Sequence, residues 1–167
     1  MSPVGDEHGP LPAFSWERLG PLLLEEMADA VIVTDREGVI RLWNTGAGAI
    51  FGVPADQAVG ESLDLIIPER LRQRHWEGYR RVMQTGVTRY SRELLAVPAT
   101  RADGARLSVE FTIVPLRDEA GHLFGVAAIL RDVTARWQRE KELRERLAAY
   151  GERSGGSAHP EAQGTVR

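Results

Sequence analysis

Residues 66–86, IIPERLRQRHWEGYRRVMQTG, constrain the fold of this 167-residue chain more than any other stretch. The stretch begins as a loop, continues as a predicted helix from Glu69 to Gln84 and stops at a helix-ending glycine, Gly86. Pro68 fits the entry to a helix, because the first turn needs no N–H donor there. Strand-like segments lie on both sides of this stretch, which is typical of a small mixed α/β domain.

Projected at about 100° per residue, the predicted helix has one apolar side. That side is formed by Leu71, His75, Gly78, Tyr79 and Val82, with Trp76 and Met83 at its borders. We therefore expect His75 near the middle of the inward face. There a neutral imidazole is either a metal ligand or a core residue that hydrogen-bonds to a backbone carbonyl. The residues alone leave both interpretations open.

A hairpin and two short helices are predicted before the long helix. The β-branched run from Ala30 to Asp35 and the alternating run from Val39 to Trp43 are typical of paired strands, with Gly38 in the turn between them. Asn44 is a candidate cap for the next helix. The two short helices are expected to end at glycines 52 and 60.

Three further strands are predicted after the long helix. Turn signals separate the runs Arg89–Val97, Ala105–Leu116 and His122–Arg131. Pro98 is expected to weaken the first run at its end. Such a series is typical of an antiparallel meander.

The predicted domain organisation places one α+β domain between two flanking helices. Residues 1–13 form a flexible lead, 14–27 a flanking helix that Pro21 divides into two short turns, and 28–132 the central domain. Residues 133–149 form an exit helix, and the polar, glycine-rich residues 150–167 form a disordered tail.

Composition excludes several classes of function. There are no cysteines, which removes disulfides and thiolate chemistry, and the net charge of -3 gives no global basic field for nucleic acid. No secretory signal and no membrane-spanning apolar run are recognised, so a cytoplasmic protein without a membrane partner is expected. No paired acid and base residues, phosphate-binding glycine loop or clustered metal ligands are evident, so we expect no enzyme activity.

Three stretches in this order resemble the PAS sensor domain family. ADAVIVTDREGVIRLWNTGAGAIFG is similar to its opening hairpin and the asparagine that follows, and AVGESLDLIIPE to the approach to its long helix. RADGARLSVEFTIVPLRDEAGHLFGVAAILRDVTAR is similar to its last hairpin and closing Asp-Val-Thr motif. The resemblance implies an α+β PAS fold: a five-stranded antiparallel sheet with short helices and one long helix across it.

Within that family, IIPERLRQRH resembles the haem-binding branch, which includes an oxygen-sensing kinase and an oxygen-sensing phosphodiesterase. Members of this branch carry a proximal histidine on the long helix, a few residues after an Ile-Pro step. The resemblance therefore implies haem b bound at His75. Gly78, on the same side of the helix, would let a flat macrocycle approach the helix backbone. The arginine that contacts oxygen in those sensors is replaced here by Leu95, and Arg92 is out of register.

The other candidate site residues follow from the same resemblance. They are Trp76 and Tyr79 for the pocket wall, Arg81 and Arg89 for the haem propionates, and Leu95, Ile113 and Leu130 for the apolar distal wall. Core packing explains the two aromatic residues equally well. An apolar distal wall suits carbon monoxide or nitric oxide, which need no hydrogen-bond donor.

Two functions are compatible with these expectations. The first is a haem-b sensor of a diatomic gas (oxygen, carbon monoxide or nitric oxide) or of redox state, acting as a homodimer that signals through its terminal helices to an unidentified protein partner. The second is a cofactor-free PAS module for dimerisation or protein interaction.

Overall fold

The computed structural model describes residues 14–88 and 95–155. Its helices are α1 (Trp16–Glu26), α2 (Thr45–Phe51), α3 (Ala55–Ala58), α4 (Glu69–Thr85) and α5 (Thr134–Gly155). Its strands are β1 (Ala30–Asp35), β2 (Ile40–Trp43), β3 (Leu95–Thr100), β4 (Arg106–Arg117) and β5 (Leu123–Asp132), with a 3-10 turn at Leu63–Leu65. The predicted lead, residues 1–13, lies outside the described residues.

The five strands form one sheet in the order β2-β1-β5-β4-β3, and every neighbouring pair is antiparallel. The first strand along the chain, β1, therefore lies inside the sheet and pairs with the last strand, β5. The predicted α+β architecture, a five-stranded antiparallel sheet with short helices and one long helix, is confirmed.

One face of the sheet carries the core. Because paired residues share a face, the register defines rows across the strands, such as Leu130 between Ala30 and Phe111. The next row on this inner face places Ala128 between Ile32 and Ile113. Ala30, Ile32 and Leu130 are buried. Phe51 of α2 joins them in the same core cluster.

Asn44 connects three elements of this unit. Its side-chain oxygen accepts hydrogen bonds from the backbone N–H groups of Ala47, at 2.9 Å, and Val31, at 2.8 Å. Its amide nitrogen donates to the carbonyls of Leu24 and Asp29, at 2.9 and 3.0 Å. The predicted cap of α2 is therefore confirmed, and the same side chain also holds the α1–β1 connection.

Two prolines are accommodated where the sequence predicted interruptions. Helix α1 runs without a break through Pro21. The preceding residue is Gly20, which has no Cβ to clash with the proline ring. Strand β3 likewise continues through Pro98, which pairs with Ser108. Because β3 is at the edge of the sheet, a missing N–H on its open side costs no ladder hydrogen bond.

The chain divides after Asp132 into two compact units. The second unit contains α5, which extends to Gly155 rather than ending at residue 149 as predicted. No helix in the described part of the chain combines the length and apolarity that crossing a lipid bilayer requires.

Candidate functional site

Helix α4 carries the candidate site, and both of its ends are held. The helix begins after Pro68 and stops at Gly86, whose φ of 65° is the left-handed conformation that favours glycine. The Gly86 carbonyl accepts a hydrogen bond from Arg117 Nη2 at 3.2 Å, which places the end of α4 beside the end of β4. Tyr79 and Met83 are the buried residues of the helix.

Tyr79 attaches α4 to strand β1, the second strand of the sheet. Its hydroxyl lies 2.9 Å from Thr34 Oγ1 and donates a hydrogen bond to the Asp35 carbonyl. Burial raises the pKa of the Tyr79 phenol above its ordinary value of 10.0, so the group stays a protonated donor. Tyr79 is therefore part of the core, and its hydroxyl is engaged in hydrogen bonds within the fold. This agrees with core packing as the explanation of this residue.

Trp76 makes a second attachment one turn earlier. Its indole Nε1 donates to Asp64 Oδ1 at 2.8 Å, and its ring fills the space where a side chain at Gly38 would lie. Asp64 is itself held by Arg72, which donates to its carbonyl at 3.0 Å. Trp76 thus packs between the 3-10 turn and the β1–β2 hairpin.

His75 lies next to these two anchors. Its ring centroid is 5.0 Å from that of Trp76 and 6.0 Å from that of Tyr79, and the residue is half-buried. Burial lowers the pKa of the imidazole below its ordinary value of 6.5, against the opposing effect of the Asp64 carboxylate. His75 is therefore neutral at pH 7, which is the form that binds metal ions.

One nitrogen of this imidazole lacks a partner. The Nδ1 atom is buried and makes no hydrogen bond within residues 14–88 and 95–155. A core histidine was expected to bond to a backbone carbonyl, because an unpaired buried polar atom costs about 1–3 kcal/mol. An unpaired buried imidazole nitrogen fits a ring whose hydrogen bonds are incomplete without a further group.

The expectation that His75 lies at the centre of the inward face is wrong. Tyr79 and Met83 are buried, whereas His75 is half-buried and lies to one side of them. The reason is that the hydrogen bonds of Tyr79 and Trp76 turn the opposite border of the apolar side toward the sheet. Leu71, His75, Gly78 and Val82 are all half-buried and form a flank of α4, called the His75 flank below.

The inner sheet face also has an incompletely covered part. Ile113, one of the predicted wall residues, is half-buried, as are its inner-face neighbours Val97 and Phe111. Leu130, by contrast, is buried in the core cluster. The backbone of Leu95 pairs with Phe111, which puts all three predicted wall positions in two adjacent rows.

Of the two arginines predicted to meet propionates, only Arg81 falls within the described residues. Arg81 is exposed on α4, and Arg89 lies outside the described residues, as does Arg92. Among the described residues there is no cluster of three metal-ligating side chains, so His75 would be a single protein ligand. A single axial ligand is what a haem iron needs, because the porphyrin supplies four nitrogens.

Two residues of the site were not predicted. The Asp64 carboxylate accepts the hydrogen bond from Trp76 and acts to raise the pKa of His75. No local sequence pattern around Asp64 signals either role. Phe111 lies between Leu95 and Leu130 in one row of the sheet. The period-two alternation of Val109, Phe111 and Ile113 was a signal for that position.

Comparison with known proteins identifies the family of the fold. Residues 24–138 match the family described as PAS fold. The chain is 28% identical to the sensor protein FixL of Bradyrhizobium diazoefficiens over 82% of its own length and 28% of that protein. It is 23% identical to the oxygen sensor protein DosP of Escherichia coli over 77% of its own length and 16% of that protein. The chain thus spans less than a third of either relative.

A solved structure has the same fold. The PAS domain of a protein from Colwellia psychrerythraea superimposes with a TM-score of 0.64 at 21% identity, covering 72% of this chain and 99% of that one. The likeness shows the shared fold. The family match, which covers more than half of the chain, establishes the family. The chain belongs to the PAS-fold family of sensory domains.

Proposed function

We propose that this chain is a haem-b sensor domain for a diatomic gas or for redox state, with His75 as the axial ligand of the iron. The observation that carries the proposal is the His75 imidazole, which burial keeps neutral and whose buried Nδ1 lacks a partner among the described residues. A histidine that ligates haem iron must be neutral, and an apolar, partly open setting suits the macrocycle.

The proposal places a flat apolar group between the His75 flank and the inner face of the sheet. The His75 flank is half-buried on the helix side, and Val97, Phe111 and Ile113 are half-buried on the sheet side. Such apolar side chains are suited to cover a macrocycle. When bound, haem iron supplies an open coordination position for a gas or a one-electron change in charge. We propose Ile113, Leu130 and Leu95 as the wall around that position.

The gas that such a wall favours follows from its chemistry. Ile113 and Leu130 have no hydrogen-bond donor to offer a bound diatomic molecule. Carbon monoxide and nitric oxide need none, so they are the preferred ligands in this proposal. Of the relatives compared above, DosP is named an oxygen sensor, which makes oxygen a further gas to test.

The proposed output passes through the sheet. Tyr79 is bonded to the Asp35 carbonyl of β1, and the Trp76 ring packs at Gly38 in the β1–β2 turn. Strand β1 pairs along its whole length with β5. A change at His75 therefore reaches the strand that precedes α5. The terminal helices would carry the signal to a second copy of the chain and to a protein partner.

Haemin titration of the purified wild type and His75→Ala tests the proposal. We expect one equivalent of haemin to give a Soret band that shifts with carbon monoxide, and His75→Ala to lose the band. His122→Ala is the matched control, because His122 is an exposed histidine in the β4–β5 turn. Uptake that is equal in His75→Ala and wild type, or absent in both, contradicts the proposal.

A cofactor-free PAS interaction module is the second candidate. The observation in its favour is that much of the inner face is already filled: Tyr79, Met83 and Leu130 belong to the core cluster. A wild-type protein that takes up no haemin, yet forms a stable dimer, would support this function instead.

A further inference from the structure

Gly78 occupies a position where the fold does not require glycine. It lies inside α4, where glycine is about 1 kcal/mol less favourable than alanine. The positive φ angles that justify glycine elsewhere occur in turns and helix ends, as at Gly38 and Gly86. Backbone conformation therefore does not account for Gly78.

Close packing does not account for Gly78 either. A Cβ atom at Gly46 or Gly125 would collide with backbone atoms, which explains those glycines. A Cβ atom at Gly78 would have no neighbour within 4 Å among residues 14–88 and 95–155. The space beside this position is open in the described structure.

The open space belongs to the His75 flank. Gly78 follows His75 by three residues, so the two positions are adjacent on the same side of the helix. The helix cannot close the space by rotating, because Tyr79 is bonded to Thr34 and Asp35 on β1. Trp76 is bonded to Asp64, which adds a second restraint on the rotation of α4.

We infer that Gly78 determines the size of the ligand that binds beside His75: it keeps the helix backbone accessible to a broad, flat, apolar molecule of the porphyrin class. This inference rests on the proposed function and adds a residue to it. A side chain at position 78 would occupy the area that the edge or face of the macrocycle needs. The helix therefore accepts a cost in stability to keep the space free.

Substitution at this position has opposite effects on folding and on binding. In the haem-free protein, Gly78→Ala should lower the unfolding equilibrium constant about two- to fivefold, because alanine is the better helix former and meets no clash. Gly78→Leu should weaken haemin binding about tenfold or more, because its side chain fills the ligand space. Urea denaturation and haemin titration measure the two effects.

Gln73→Leu is the matched control, because Gln73 is exposed on the opposite side of α4. It should leave haemin affinity unchanged. If wild type takes up no haemin, both this inference and the proposed function fail. If wild type and Gly78→Leu bind haemin equally, only this inference fails, and it also fails if Gly78→Ala destabilises the haem-free protein.

Discussion

At the scale of single residues, the Tyr79 hydroxyl shows how α4 is tied to the sheet. It is shared between Thr34 Oγ1 and the Asp35 carbonyl, which also accepts a hydrogen bond from Gly38 N–H at 3.1 Å. Removing the hydroxyl therefore leaves the Asp35 carbonyl with a partner, and Thr34 loses its bond to Tyr79. The donor Thr34 and the acceptor Asp35 are thus affected unequally.

We predict that Tyr79→Phe lowers the free energy of unfolding by about 1 kcal/mol, the usual net value of a buried hydrogen bond. Urea denaturation of Tyr79→Phe, Thr34→Val and the double variant measures the coupling between the two side chains. The double variant should cost less than the sum of the single variants, because both singles break the same bond. Strict additivity would contradict a direct interaction in solution.

At the scale of elements, an ion pair joins the start of β1 to the end of β5. Arg131 donates to both carboxylate oxygens of Asp29, from Nε at 2.9 Å and from Nη2 at 2.6 Å. Asp29 precedes β1, and Arg131 is the last but one residue of β5. The ion pair links the neighbouring strands β1 and β5 at the end of the sheet where β1 begins.

The hydrogen bond from Arg131 lowers the pKa of Asp29 below its ordinary value of 3.8, although burial opposes this effect. A carboxylate with a lowered pKa in the folded state stabilises the fold above its ordinary pKa. That contribution is lost as the pH falls through the lowered value. Stability should therefore depend on Asp29 at pH 7 and progressively less below about pH 4.

We predict that Asp29→Asn lowers the urea midpoint at pH 7 and that its difference from wild type shrinks as the pH falls below 3.8. Glu119→Gln is the control, since Glu119 is an exposed carboxylate in the β4–β5 turn. A difference that is constant from pH 7 to pH 3 would show that the asparagine acts through packing rather than charge.

At the scale of the whole molecule, PAS domains commonly dimerise, and α5 has an apolar stripe suited to such a contact. Leu143, Leu147 and Tyr150 are 57%, 70% and 69% exposed. Their spacing of four and then three residues places them on one side of the helix, as in a two-helix seam. Glu145 and Arg146 between them are exposed and charged.

We predict that the wild type sediments as a dimer at micromolar concentration and that Leu147→Glu shifts it toward monomer. Burying a glutamate in a helix seam costs several kcal/mol, because the charge has no partner there. Ala148→Glu adds the same charge away from the stripe and should leave the dimer intact. A monomeric wild type would overturn the predicted homodimer.

Local pattern predicted much of the fold because each signal acts over a few residues. The β-branched run at 30–35, the turn at Gly38 and the cap at Asn44 appear as predicted, and the helix bounds of α4 differ by one residue. The interruptions predicted at Pro21 and Pro98 were wrong, because the energetic cost of a proline in a helix or strand depends on its neighbours. Gly20 relieves the first, and the edge position of β3 accommodates the second.

Sequence by itself determined that one helix carries an aromatic-flanked histidine and a glycine on a single side, since helical periodicity is a property of the backbone alone. Only the tertiary structure decided which part of that side faces the sheet. Tyr79 reaches β1 and Trp76 reaches Asp64, contacts that span 44 and 12 residues of sequence. Those bonds set the rotation of α4 and leave His75 and Gly78 on a half-buried flank beside open space.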